Sequence, residues 1–405
     1  MRRTTIAAVF ATLACPLAAT GQAADSPDSP EPGPRRVEFS ALYTADALWN
    51  VHGGLREGWA YLDYIELAAG ANLGRVPGGG DLSLYASVFR RNDPTFSERY
   101  VGDSLVVSNI DATSPMQVLE AWADWGFEAR GRGSLRLGIY DLSSEFDVLD
   151  SRAVFLNSAY GIGHDLAQAG ASGPSIFPDT ALGARLAWAP DDAWLLKVAV
   201  LDGVPGDPED RGRSRLHLSS SEGALWIAEV TSGGSQVRAG AAYWRYTAAY
   251  PVLYPLDADG TPDTRNDNAG GYLMAELASE PADGTSEPRW LAFARAGTAE
   301  ERINVFNRFY AAGLVYRSTW PGRYGSYLGL AASEARVGSG YRERRAAEGL
   351  ATDGFERNVE LTWRLLLGRH AAVQPDLQYV QNPSGDPQIP DAWVVGLRLE
   401  LFFAK

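Results

Sequence analysis

Trp393-Val394-Val395-Gly396-Leu397-Arg398-Leu399-Glu400-Leu401-Phe402-Phe403 lies just before the last two residues of the chain. In an extended strand successive side chains point to opposite faces. Trp393, Val395, Leu397, Leu399, Leu401 and Phe403 therefore share one face, and Val394, Gly396, Arg398, Glu400 and Phe402 share the other. The same phrase recurs back to Val37, as roughly ten residues of alternation followed by a turn rich in Gly, Pro or Asp. A period of two sustained over the chain, with no long helical or apolar run after the first residues, predicts an all-β protein with two chemically different faces. The apolar face must meet another sheet or lipid.

The first residues read differently. Arg2 and Arg3 precede an apolar stretch from Ile6 to Ala19, and small residues at Gly21-Gln22-Ala23-Ala24 lead into a polar, proline-rich segment. That order predicts an exported chain with a signal peptide over 1–24 and a disordered segment over 25–36, ahead of one barrel domain over 37–403. The apolar stretch is shorter than the roughly 20 residues a spanning helix needs. The single cysteine, Cys15, lies inside the signal, with Thr12 and Leu13 in the wrong order for a lipid-attachment motif and Pro16 after it. The mature chain thus has no disulfide, thiolate nucleophile or thiolate metal site. Removing Arg2 and Arg3 leaves 34 basic against 50 acidic residues and moves the formal charge from −14 to −16, which argues against nucleic acid as a partner.

Alternation and turn clusters place strands near 37–48, 58–72, 81–91, 116–128, 134–142, 180–189, 193–201, 223–232, 236–247, 270–279, 289–298, 308–319, 324–334, 355–368, 372–381 and 391–403. Links alternate in length. Tight turns at Arg75–Gly80, Arg130–Gly133, Pro190–Asp192, Gly233–Ser235, Pro321–Arg323 and Arg369–Ala371, with a longer Pro281–Pro288, are interleaved with long links at Asn92–Pro115, Ser143–Asp179, Asp202–Glu222, Ala248–Ala269 and Ala335–Gly354. Short and long links in alternation, with an even strand count, predict a transmembrane antiparallel β-barrel of about sixteen strands, with short periplasmic turns and long external loops. Trp188, Trp194, Trp226, Trp363 and Trp393 fall near strand ends on the apolar side, where interfacial girdles sit. Glu120, Asp124, Arg136, Arg185, Lys197, Glu229, Arg364, Asp376 and Arg398 fall on the opposite side, where a water-filled bore solvates them.

Several stretches resemble the carbohydrate-selective porins of the OprB family. They are Gly53-Gly54-Leu55 through Leu73, Leu137 to Asp147 (LGIYDLSSEFD), Phe177 to Gly183 (FPDTALG), Leu201 to Pro208 (LDGVPGDP), and Gln374 to Pro383 (QPDLQYVQNP) followed by Gly396-Leu397-Arg398. The resemblance implies a sixteen-stranded barrel in the outer membrane of a Gram-negative bacterium that passes small sugars by diffusion through a constriction lined with arginines, acids and aromatics. Sugar solutes and outer-membrane lipid are the partners it implies, and a homo-oligomer is compatible with it; no cofactor is implied. A general or anion-selective porin, or a secreted all-β glycan-binding protein, are the alternatives. One departure is that Ala404 and Lys405 follow Phe403, where such barrels usually end on an aromatic residue.

A selective bore needs carboxylates and guanidinium groups to replace water on sugar hydroxyls, and rings to stack on the sugar face. The segment from Asp141 to Phe146 opens the longest loop. This nominates Asp141, Glu145, Asp147 and Arg152 on one side of a constriction, with Arg91, Glu120, Arg136 and Arg185 facing them from strands. Tyr140, Phe146, Phe155 and Tyr160 are the aromatic candidates. Catalysis is not expected: His52, His164, His217 and His370 share no metal-ligand spacing, no Ser and His pair is presented together, and Gly78-Gly79-Gly80 and Gly131-Arg132-Gly133 are hairpin turns with no helix behind them.

Overall fold

The computed structural model describes residues 36–405 apart from 77–78, 93–94, 114, 128–131, 208–218, 235, 257–259, 282–287 and 319–323. The expected signal peptide with Cys15, the expected disordered segment up to 35, Gly78, Gly131, His217 and parts of several expected turns lie outside the described residues.

The strands in chain order are β1 (Arg36–His52), β2 (Gly58–Arg75), β3 (Asp81–Arg91), β4 (Met116–Gly126), β5 (Gly133–Tyr140), β6 (Ala181–Trp188), β7 (Trp194–Asp202), β8 (Ala224–Gly233), β9 (Val237–Tyr246), β10 (Tyr250–Leu256), β11 (Pro262–Arg265), β12 (Ala269–Ala278), β13 (Trp290–Ala299), β14 (Phe306–Ser318), β15 (Ser326–Val337), β16 (Phe355–Leu366), β17 (Ala371–Gln381) and β18 (Ala392–Ala404). Two helices, α1 (His164–Ala167) and α2 (Ser339–Ala347), lie in the connections. Sixteen strands form one closed antiparallel barrel, and β10 and β11 pair only with each other. Closure leaves the ring itself with no edge strand. The seam joins β1 to β18, from Ser40 opposite Ala404 to His52 opposite Trp393. Lys405 continues it by exchanging both backbone hydrogen bonds with Phe39, at 3.0 and 2.9 Å. The two residues after the last aromatic are thus part of the sheet.

The period of two sorts the side chains as expected. Trp393, Val395, Leu397 and Leu399 point out and stay exposed, while Val394, Arg398 and Glu400 point in and are buried. Trp49, Trp59, Trp226 and Trp393 ring the long-loop end, and Trp125, Trp188, Trp194 and Trp290 ring the short-turn end, all facing out. No helix among the described residues is long and apolar enough to cross a membrane. The barrel spans it with strands.

The strand bounds agree with the sequence reading to within a few residues, and α1, in the link over 143–179, is one of the elements that reading does not contain. The connection read as a plain loop over 248–269 holds the β10–β11 hairpin, and that over 335–354 holds α2. Neither carries a long apolar period, because each packs at the rim rather than spanning a bilayer.

The topology makes a direct prediction. A protease site inserted at Gly260, between β10 and β11, is cut on intact cells, and one inserted between Asp191 and Asp192 is cut only after the outer membrane is permeabilised. The opposite pattern would invert the barrel.

Candidate functional site

The two longest connections, 92–115 after β3 and 141–180 after β5, fold into the barrel. Leu142, Phe146, Phe155, Tyr160 and Leu166 are fully buried against inward-facing Leu201, Leu225, Trp244, Phe293 and Phe309. On the other side of the bore Phe96, Val101, Val107 and Ile110 pack on Leu48, Leu62, Tyr64, Phe89 and Val394. Each inserted segment packs mainly on one part of the wall, with Leu105 of the first also in the larger core and Phe177 of the second against the smaller. The segments also bond to each other: Asn109 N donates to Leu156 O at 2.7 Å, and Ser158 N donates to Val106 O at 2.9 Å.

Buried loop backbone needs acceptors. The wall supplies carboxylates. Glu120 on β4 accepts from Asp141 N at 3.2 Å, Glu229 on β8 from Asp147 N at 2.9 Å, and Glu276 on β12 from Ser151 N at 2.8 Å. Glu360 on β16 accepts from Leu156 N at 2.7 Å and Asn157 N at 3.0 Å. Four residues earlier on the same strand, Glu356 accepts from Ser104 N at 2.8 Å, Leu105 N at 2.7 Å and Ser384 N. Asp46 on β1 accepts from Ser108 Oγ at 2.6 Å and from both arms of Arg398 at 2.7 Å. Gln378 on β17 joins the two segments, donating to Val107 O at 2.8 Å and accepting from Asn157 Nδ2 at 3.2 Å. Leaving such a buried N–H unpaired would cost about 1–3 kcal/mol.

The nominated residues fall into four groups rather than one. Asp141 and Glu120 hold the neck of the long segment. The Asp141 carboxylate accepts from Ser143 N at 2.7 Å and Phe177 N at 3.3 Å, closing the start of the loop onto its end. Burial raises its pKa, and the same donors oppose that rise. Asp147 and Arg152 form a second group, inside the loop, with Arg152 Nη1 to Asp147 Oδ1 at 2.7 Å. Arg295 of β13 joins it, reaching Asp147 at 3.0 Å and Asp165 of α1. Burial opposes ionisation of Asp147, but Arg152 and Arg295 outweigh it and hold its carboxyl below the ordinary range. A Cβ on Gly163 or Gly297 would overlap the Arg295 guanidinium, so both positions need glycine for this approach. Arg91, at the long-loop end of β3, is buried and acts on Asp111 of the first inserted segment.

The fourth group faces the bore. Register sets Asp124, Arg136 and Arg185 side by side on β4, β5 and β6. Glu145 comes down from the loop to meet both arginines, at 3.7 Å from Arg136 and 2.8 Å from Arg185, while Asp124 lies 3.0 and 2.6 Å from the same two. The Arg136 guanidinium lies 3.7 Å over the Trp122 ring, and Trp122 stacks on Tyr85 at 5.1 Å. Asp124 and Glu145 keep 16 % and 19 % of their side-chain surface exposed. Around the loop, Asp150 and Arg238 form an exposed pair at 3.3 Å.

The expected convergence of Arg91, Arg136, Arg152 and Arg185 on Glu145 and Asp147 is therefore corrected: only Arg136, Arg185 and Glu145 meet. Arg152 and Asp147 are at most 2 % exposed at the side chain and hold the loop. Tyr140, Phe146, Phe155 and Tyr160, expected as stacking partners, are core of the inserted segment instead. Trp122 and Tyr85 were missed, although Trp122 shares inward parity with Glu120 and Asp124 on β4 and was readable from that.

A closed sixteen-stranded barrel with segments folded into a charged bore defines an outer-membrane porin. Residues 42–403 match the carbohydrate-selective porin family, OprB, and the chain belongs to it. It is similar to Porin B of Pseudomonas aeruginosa, 22 % identical over 90 % of this chain and 87 % of that one, and to the putative porin QuiX of Acinetobacter baylyi, 21 % identical over 90 % and 89 %. Its fold resembles the high-pH structure of Pseudomonas putida OprB, with a TM-score of 0.78 at 18 % identity over 91 % of this chain and 94 % of that one. The trimer form of OmpT from Vibrio cholerae is more distant, at a TM-score of 0.54 and 13 % identity over 91 % and 99 %. The protein is thus a carbohydrate-selective porin of a Gram-negative outer membrane, with the long connections external.

Two outcomes follow from the loop anchors. Replacing Arg295 by alanine leaves Asp165 buried without its cation and Asp147 with Arg152 alone, a loss of about 3–5 kcal/mol where a buried pair is broken. The segment 141–180 should release, and single-channel conductance should rise; unchanged conductance would deny the anchor. Burial and the Asp111 charge push Asp103 up to about 7, and burial pushes Asp111 up to about 6. A raised carboxyl contributes stability that is complete below its unfolded value and is lost as pH rises through the folded one. Hydrogen exchange over 96–110, corrected for intrinsic rate, should accordingly be slower at pH 5 than at pH 8, and Asp103→Asn should narrow the difference.

Proposed function

We propose that carbohydrate passes the group Tyr85, Trp122, Asp124, Arg136, Arg185 and Glu145 by passive diffusion, with no covalent step. The observation that carries this reading is the Arg136 guanidinium stacked on Trp122 while it pairs with Asp124 and Glu145. Planar donors fixed beside carboxylate acceptors suit vicinal hydroxyls, and an indole offers a face for the C–H side of a sugar ring. Glu120, Asp141, Asp147 and Arg152 act one layer back, placing Glu145, and Arg91 supports the first inserted segment. The family and the fold are those of a channel, which supports a non-enzymatic role. A signal peptide over 1–24 agrees with delivery to that membrane.

Selectivity then follows the fixed charges at the narrowest section and not the acidic total. Removing the Trp122 ring should weaken sugar block of the current by about 1 kcal/mol, the scale of a lost aromatic contact. Removing Arg185 leaves Asp124 and Glu145 under-compensated and should shift ion selectivity toward cations. Planar-bilayer currents of Trp122→Ala and Arg185→Ala, with and without monosaccharide, check both. Liposome swelling that is equally fast for sugars and for amino acids of the same size would favour a general porin.

A further inference from the structure

The lipid-facing wall is not uniform. On β12 to β15 the register places Ala275, Ala294, Ala312 and Ala332 in one unbroken row, each directly opposite the next and all pointing out. Elsewhere the same belt carries large side chains, such as Leu67, Leu397 and Val395, that stand exposed. Four adjacent strands floored by methyl groups make a trough some 14 Å across, at about 4.8 Å per strand. It forms a groove of about 590 Å³ walled by Leu273 and Tyr310.

The external end of the same groove is basic. One row above the alanines, Tyr310 stands opposite Glu334, and Glu334 opposite Arg357. One row further out, Arg308 stands opposite Arg336. Glu334 accepts from Arg336 Nε at 2.8 Å and from Arg357 Nε at 3.1 Å, and the arginine side chains stay 54 % and 41 % exposed. Two guanidinium groups thus share one carboxylate, with Arg308 beside them on the outward face, in a chain whose formal charge is −14. That surplus lies at the depth of the outer-leaflet head groups, with an apolar groove running inward beneath it.

We propose that this face binds a phosphorylated, acylated lipid of the outer leaflet, with a phosphate held by Arg308, Arg336 and Arg357 and an acyl chain laid along the alanine trough. Guanidinium forks match phosphate oxygens bidentately, and the head-group layer removes much of the water that would otherwise screen them. A second copy of the chain fits the face less well. In a symmetric contact the same patch serves both partners, so it would bring two sets of three arginines together with one acid each.

The test uses the full-length barrel purified in detergent. Native mass spectrometry after incubation with diphosphoryl lipid A should show one lipid retained, and enzymatically dephosphorylated lipid A should be lost at lower activation energy. The Arg336→Ala/Arg357→Ala protein should retain the lipid roughly tenfold less, the scale of one or two lost charge-assisted hydrogen bonds. Ala312→Phe, which fills the trough and leaves every charge in place, should weaken retention independently. Heat-modifiable mobility of each variant establishes that it is folded. Equal retention by wild type and both variants, equal binding of the dephosphorylated lipid, or a concentration-dependent oligomer that excludes lipid would each overturn the assignment.

Discussion

Backbone N–H groups of a loop buried inside a barrel have no ladder to join, and in this protein carboxyl side chains of the wall take them. Glu229 on β8, Glu276 on β12, and Glu356 and Glu360 on β16 each bind loop N–H directly. A carboxylate suits the task because it offers several lone pairs in two directions and binds donors more strongly than a neutral oxygen does. Much of the acidic surplus of this chain is therefore structural. It fixes the two segments against the wall and against each other. The bore is narrow because of the loops, and the loops are where they are because of the wall.

That arrangement also separates two uses of arginine. Arg152, Arg295 and Arg398 are buried with carboxylates and neutralise charge in places no solute reaches. Arg136 and Arg185 face acids that remain accessible, beside an aromatic stack. The same residue type is thus enclosed in one case and open toward the bore in the other. Burial of the partner carboxylate distinguishes them: Asp147 and Asp46 have none of their side-chain surface exposed, whereas Asp124 and Glu145 keep some.

The barrel was legible in the sequence because lipid on one side and water on the other impose a period of two on every strand. Trp393 to Phe403 displays it without interruption, and all sixteen strands could be placed from that rule and the turn residues. The bore-facing half of the site was legible for the same reason, since Arg136 and Arg185 have inward parity and Glu145 opens the longest link. The second half was not. Asp147 meets Arg295 across 148 positions of sequence, a contact that exists only because the loop crosses the bore. Parity says which way Arg295 points and nothing about what comes to meet it. The aromatics of the loop were misread by a related limit: a loop inside a barrel needs a core, and Phe146, Phe155 and Tyr160 provide it.

The central claim is that wall carboxylates position the inserted segments and through them the width and selectivity of the channel. Single-channel recording of the Glu276→Leu/Glu360→Leu protein, with folding verified by its heat-modifiable mobility, tests it most directly. The expected result is a larger unitary conductance and loss of sugar block, with the barrel intact. A folded variant that keeps wild-type conductance and wild-type sugar block would contradict it.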